Sequence, residues 1–398
     1  MFDSLRALPA DPILGLMQLY RMDTNPNKVD LGVGVYKNDS GQTPVMRAVK
    51  MAEQQVLEHQ LSKVYVGPAG NEAFIEVMKK LSFGECLPAL NTRLAAIQTP
   101  GGCGALRVAA ELIKTASPDA SVWVSNPTWG NHMPLLGNAG LTLRQYPYLS
   151  ECQTQLDWPA MQAAMEEVAH GDIVLLHASC HNPTGVDLTQ EQWHWLTDKA
   201  LEKGFIPFVD MAYQGFGRGV EQDAEGLRHM ASQLPEMLLA VSCSKNFGLY
   251  RERVGLVAVL CPEAAKAEAA KTHMLSIVRG IYSMPPDHGA AIVAQLLSDS
   301  VLRCDWLDEL ESMRARIESL RSEFAAIMNV LGYSEFEFVA RQKGMFSYLG
   351  ISHPQVAWLA KYKSIYLLDS SRASIAGLRR DNLDYVCQSL AEALSEFD

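Results

Sequence analysis

The chain has 398 residues, 48% of them hydrophobic and 20% charged, which is enough apolar material for a sizeable core. Its formal net charge of -11 argues against a nucleic-acid partner, which needs a basic face. No run of about 18 apolar residues occurs, so no membrane span is expected. The N-terminal stretch is broken by Pro9, Asp11 and Pro12 and has no signal-peptide core. The eight cysteines (Cys86, Cys103, Cys152, Cys180, Cys243, Cys261, Cys304 and Cys387) form no C-x-x-C pair. That excludes zinc-finger spacing, predicts no metal site and no disulfide framework, and makes the cytoplasm the expected compartment.

Pro100-Gly101-Gly102-Cys103-Gly104 leads into a helix-period stretch, Ala105–Ala116. A short apolar run, Ser121–Ser125, reads as a buried strand and is followed by Asn126-Pro127-Thr128-Trp129. Helix-period Trp158–His170 precedes a second such strand, Ile173–Ala178, and then His181-Asn182-Pro183-Thr184-Gly185. Another helix, Glu191–Lys203, leads to strand Phe205–Asp210, with Tyr213 one turn on. Leu238–Ser242 runs into Ser244-Lys245-Asn246, and Val254–Leu260 follows. This alternation predicts an α/β fold with a mainly parallel sheet covered on both faces. Beyond about Asp305 the pattern changes to a long charged helix, Trp306–Leu331, then strand-like Glu337–Ala340 and Met345–Leu349. A smaller α+β domain is expected there, built from residues 1–43 and 313–398 beside a large domain at 44–312.

Ligands of open α/β sheets sit beyond the carboxyl ends of the strands, so the polar residues at those ends carry the chemistry. Lys245 stands at one such mouth; partial desolvation there, with Arg253 supplying positive charge, suits a nucleophilic amine that forms a Schiff base. A solvated loop lysine is the plainer alternative. The glycines before Ala105 let backbone N–H groups approach an anion, with Ser242, Ser244 and Arg253 completing a phosphate cup; a tight turn is equally compatible. Asp210 suits a protonated pyridinium nitrogen, or a capping role. Trp129 offers a stacking face, and Asn182 and Tyr213 offer hydrogen bonds. Arg372, in Asp369-Ser370-Ser371-Arg372, offers a fork for a carboxylate.

Together with Leu31-Gly32-Val33-Gly34-Val35-Tyr36, Gln98-Thr99-Pro100, Ala212-Tyr213-Gln214-Gly215-Phe216 and Glu252-Arg253-Val254-Gly255, these segments resemble the class I aminotransferases, aspartate/aromatic branch, over essentially the whole chain. The resemblance implies the type I fold of pyridoxal-phosphate-dependent transferases, with Lys245 carrying pyridoxal 5'-phosphate and moving the substrate proton. It also implies that Asp210, supported by His132, pairs with the ring nitrogen, that Asn182 and Tyr213 hold the ring oxygen, and that Trp129 stacks on the ring. Gly102, Cys103, Ser242 and Arg253 are then the phosphate ligands. Arg372, with Gly34 and Asn182, takes the substrate α-carboxylate. Tyr65 and Arg279 are expected to cross to the neighbouring subunit of a homodimer with shared sites, one reaching the phosphate and the other a dicarboxylate side chain.

Three positions depart from aspartate-specialised members: Val64 replaces an asparagine, Cys103 a threonine and Met284 an asparagine. All three remove polar hydrogen-bonding capacity, which favours an aromatic side chain. The expected activity is ping-pong transfer of the amino group of phenylalanine, tyrosine and aspartate to 2-oxoglutarate. The alternatives are a strict aspartate aminotransferase and, further off, a β-lyase or decarboxylase using the same cofactor. A nicotinamide-dependent oxidoreductase needs a Gly-x-Gly-x-x-Gly turn, which the sequence lacks.

Overall fold

The protein is described by a computed structural model over residues 2–7, 11–150 and 154–397. Pro9 and Cys152 lie outside the described residues. The chain divides into two compact units, residues 44–316 and residues 1–43 with 317–398.

The larger unit is organised by a seven-stranded sheet. Its order is Leu94–Pro100, Val254–Leu260, Met237–Ser242, Ile206–Met211, Ile173–His177, Ser121–Asn126 and Thr142–Pro147. The five strands from Met237–Ser242 to Thr142–Pro147 run parallel, while Val254–Leu260 is antiparallel to both its neighbours. Every residue of Ile173–His177, Met237–Ser242 and Val254–Leu260 is buried, which explains why these strands read as unbroken apolar runs rather than alternating ones. Helix Gly101–Ala116 lays Ala105, Leu106, Val108, Ala109, Leu112 and Ile113 on the sheet at helical spacing. They join Ile97, Val124, Leu175, Phe208, Ala240 and Val257 in one core. Helix Gln190–Lys203 starts on a Thr189–Gln192 capping box and stops at left-handed Gly204, as its sequence dictates.

The strands Leu94–Pro100 and Thr142–Pro147 carry no equivalent sequence signal. The second is an edge strand, polar on most positions, tied in by Tyr146, whose hydroxyl donates to the Leu175 carbonyl at 2.7 Å. Helix Trp158–Glu166 stops four residues short of His170, ahead of a turn at Gly171 (φ +79°).

In the smaller unit, Val29–Asp30 pairs in parallel with Ile365–Tyr366, and Phe346–Tyr348 pairs antiparallel with Arg372–Ser374. Glu337–Ala340, expected as a strand, is instead the junction of a 3-10 turn, Ser334–Glu337, and a short helix, Phe338–Arg341. Periodicity cannot separate the two states over so few apolar residues. Buried Arg321 decides the outcome, because its guanidinium gathers the carbonyls of Val339, Gly344 and Phe346 (3.0, 2.7 and 2.5 Å) and the Ser347 hydroxyl (2.6 Å). With the carbonyls turned inward to one cation, no ladder forms until Phe346.

Candidate active site

At the carboxyl ends of the parallel strands a cavity of about 230 Å³ is lined by Gly102, Cys103, Leu106, Trp129, His177, Asn182, Asp210, Ala212, Tyr213, Ser242, Ser244, Lys245 and Arg253. Every cofactor-site residue expected from the large-domain sequence, save Tyr65, lies on this wall.

One end is an anion cup. Helix Gly101–Ala116 opens there with no side chain capping its first turn, so its N–H groups and dipole are left to an outside partner. Ser242 donates to Ser244 (3.1 Å) and Arg253 Nη1 donates to Ser244 Oγ (3.4 Å) and to the Tyr250 carbonyl (3.2 Å). Glycines make this packing possible. A Cβ on Gly255 would come within 2.5 Å of the Gly101 carbonyl carbon and 2.6 Å of the Val241 oxygen, backbone on both sides. A Cβ on Gly101 would meet the Arg253 guanidinium at 2.5 Å, and Gly101 also sits at φ +73°. Cys103 points its thiol towards Asn131 Nδ2 at 3.9 Å.

The opposite end is acidic. Asp210, at the end of Ile206–Met211, accepts from His132 Nε2 at 3.0 Å, and both side chains are buried. Burial alone would raise the Asp210 pKa. The His132 hydrogen bond, with the electrostatic influence of His132 and Lys245, outweighs it, holding the carboxyl below its ordinary range. Behind Asp210 runs a buried relay absent from the sequence-based expectations. Thr128 Oγ1 lies 2.8 Å from His132 Nδ1 and 3.4 Å from His177 Nε2, and His177 stands 4.1 Å, ring to ring, from His181. Burial, and then His132, drives His177 down to about 3; burial likewise drives His181 well below the histidine range. Both imidazoles are therefore neutral at physiological pH. The only sequence signal for this relay is the His177/His181 spacing in a strand exit.

Between the two ends, half-buried Lys245 holds its ammonium 5.0 Å from the Tyr213 ring centroid, and Asn182 Nδ2 donates to the Tyr213 hydroxyl at 3.1 Å. Trp129 stands edge-on to His132 at 5.2 Å.

Arg372 and Gly34 belong to the smaller unit. Arg372 is buried, donates to the Gly32 carbonyl at 2.6 Å and lies 4.3 Å over the Phe346 ring. A Cβ on Gly34 would strike that ring at 2.7 Å. Tyr65 and Arg279 do not line the cavity. Tyr65 is 86% exposed, and Arg279, exposed near the end of helix Ala264–Ile281, donates to Ser283. Among the described residues no group of three or more His, Cys, Asp or Glu is placed to hold a metal ion, and no helix is long and apolar enough to cross a membrane.

Residues 26–390 match the family model described as aminotransferase class I and II. The chain belongs to that family. This aminotransferase is 44% identical over 396 residues to an aspartate aminotransferase of Salmonella typhi, spanning 99% of this chain and 100% of that one. It is also 44% identical over 397 residues to an aromatic-amino-acid aminotransferase of Pseudomonas aeruginosa, spanning 99% of each. It superposes with a TM-score of 0.96, at 38% identity and over 99% of each chain, on an aromatic-amino-acid aminotransferase of Burkholderia pseudomallei covalently bound to pyridoxal phosphate. The aminotransferase therefore has the type I α/β fold and uses pyridoxal 5'-phosphate. The donor set fits that group: an uncapped helix start with two serines and an arginine suits a phosphate dianion, and an ionised aspartate and a lysine line the same cavity.

Proposed function

We propose that the protein transfers the amino group of aspartate, phenylalanine and tyrosine to 2-oxoglutarate in two half-reactions at one site. The observation that carries this reading is that Lys245, Asp210 and the Ser242–Ser244–Arg253 cup line a single cavity. When bound, the cofactor supplies an aldehyde and an electron-withdrawing ring that accepts the electron pair left by the departing α-proton.

The chain's own residues do the rest. Lys245 would provide the amine that holds the cofactor, and its Nζ would take the substrate α-proton and return it. Asp210, kept ionised and oriented by His132, holds a proton on the ring nitrogen. Asn182 and Tyr213 donate to the ring oxygen, and Trp129 covers one face. Gly102, Cys103, Ser242 and Arg253 grip the phosphate, joined by Tyr65 of the partner subunit. Arg372 would clamp the α-carboxylate through its fork, with Gly34 and Asn182 as its further contacts, and the partner subunit's Arg279 would meet a dicarboxylate side chain.

Support for a homodimer comes from the surface that would carry Tyr65. Leu57, Leu61 and Val64 are 78%, 98% and 75% exposed, an apolar stretch suited to burial against a second copy. Support for a cytoplasmic enzyme comes from the seven described cysteines, all free thiols.

The substrate range rests on the 44% identity shared with both an aspartate and an aromatic-amino-acid enzyme and on the apolar residues Val64 and Met284. The test is kcat/KM for each donor with 2-oxoglutarate. Values for phenylalanine and aspartate within about tenfold, roughly 1.4 kcal/mol of transition-state binding, support the dual range. Turnover of aspartate with none of phenylalanine reduces it to a strict aspartate enzyme. Oxo acid and ammonia formed without added acceptor, beyond one equivalent per active site, point to a lyase.

Cys103→Thr is expected to tighten cofactor binding severalfold, about 1 kcal/mol for a hydroxyl donor in place of a weak thiol donor. Equal affinity by equilibrium dialysis would remove the side chain at position 103 from the grip and leave it to the backbone N–H groups, Ser242 and Arg253.

A further inference from the structure

Two carboxylates, the buried Asp223 and the partly buried Asp187, stand behind the residues assigned to the ring oxygen, and neither lines the cavity. Asp187 accepts the Cys180 N–H on one oxygen and the His181 N–H on the other, both at 2.8 Å. Cys180 sits at φ +52°, a left-handed conformation that a cysteine holds only where its neighbours impose it. Asn182 is two residues beyond it. Asp223, 3% exposed, accepts the N–H groups of Gly215 (2.8 Å), Gly217 (2.9 Å) and Arg218 (2.7 Å). It thereby ties down the loop that begins with Tyr213.

The two arrangements share one logic. Each carboxylate follows a parallel strand, Ile173–His177 or Ile206–Met211, and collects successive N–H groups of the loop leaving that strand. Each loop delivers one side chain to the cavity, and the two side chains meet where Asn182 donates to Tyr213 at 3.1 Å. Burial pushes Asp187 up to about 6 and raises Asp223 as well, more than the backbone hydrogen bonds pull them down. Both carboxylates are thus kept where desolvation opposes their charge, and each uses an acceptor capacity on both oxygens that a neutral amide lacks.

We propose that Asp187 and Asp223 are paired positioning residues that set Asn182 and Tyr213 in register against the cofactor's ring oxygen. The proposal rests on the cofactor reading above and adds residues to it. Donors to that oxygen favour its deprotonated form, so a slackened register raises the pH midpoint of the bound cofactor's absorbance change.

The experiment is a spectrophotometric pH titration of the holoenzyme, without substrate, for wild type, Asp187→Asn, Asn182→Ala and the double variant. Asp187→Asn is expected to move the midpoint upward by about half a pH unit or more in the wild-type background, and to move it no further once Asn182 is gone. A shift of the same size in both backgrounds, or none in either, overturns the proposal. Asp223→Asn read against Tyr213→Phe repeats the test on the other loop and carries it alone if Asp187→Asn does not fold. A wild-type protein with no cofactor band overturns the cofactor reading and this proposal together; a wild-type band with unmoved variants overturns the proposal only.

Discussion

Lys245→Ala is expected to lower the rate of amino transfer by at least about 10⁴-fold, because one residue supplies both the covalent link and the proton shuttle. The side chain is half-buried with its ammonium against the Tyr213 ring, and an unchanged circular-dichroism melt is the check that its loss spares the fold. The cup and Asp210 remain, and the variant should still take up the cofactor. Borohydride reduction followed by mass spectrometry separates the two roles. Wild-type protein should gain the mass of the reduced cofactor at Lys245, and the variant should gain none. A variant that transaminates at the wild-type rate would remove Lys245 from the mechanism.

Asp210→Asn is expected to cost about 10³-fold in kcat, comparable to removing a preorganised electrostatic partner from a water-poor site. The change is nearly isosteric, and the His132 contact at 3.0 Å can persist with an amide oxygen as acceptor. What disappears is the negative charge that keeps a proton on the ring nitrogen, so the effect should fall on kcat for every donor rather than on KM. His132, which acts through the aspartate, should matter less: about tenfold for His132→Asn. Since the His132 hydrogen bond is the main influence holding Asp210 below the ordinary carboxylate range against burial, His132→Asn should also move the acid limb of the kcat profile to higher pH; an unmoved limb would show that His132 does not set the aspartate's charge. Equal kcat for Asp210→Asn and wild type would exclude the pairing.

The sheet and much of the site could be read from the sequence because buried parallel strands advertise themselves as short apolar runs, and each run ends on its functional residue. Ser242 and Asp210 close two such runs, Asn182 follows a third, and all three line the cavity. Leu94–Pro100 and Thr142–Pro147 escaped, the second because an edge strand carries polar side chains on most positions. Glu337–Ala340 was misassigned because its conformation is dictated by Arg321, distant in sequence and bonded to carbonyls that no local pattern reveals. The relay through Thr128 and His177 and the braces at Asp187 and Asp223 were missed for the same reason. A buried histidine or aspartate looks like a surface one until its partners are placed. Arg372 and Arg279 were legible only through family likeness, since a lone arginine has no signature of its own.

The approach of Gly255 to the Gly101 carbonyl leaves no room for a single added methyl, and neither flank is a side chain that could swing aside. The floor beneath the proposed phosphate cup is thus main chain pressed on main chain, a seat that a side chain at either glycine would break. Retuning of which amino acid this scaffold prefers is left to side chains outside that contact, such as those at positions 64 and 284.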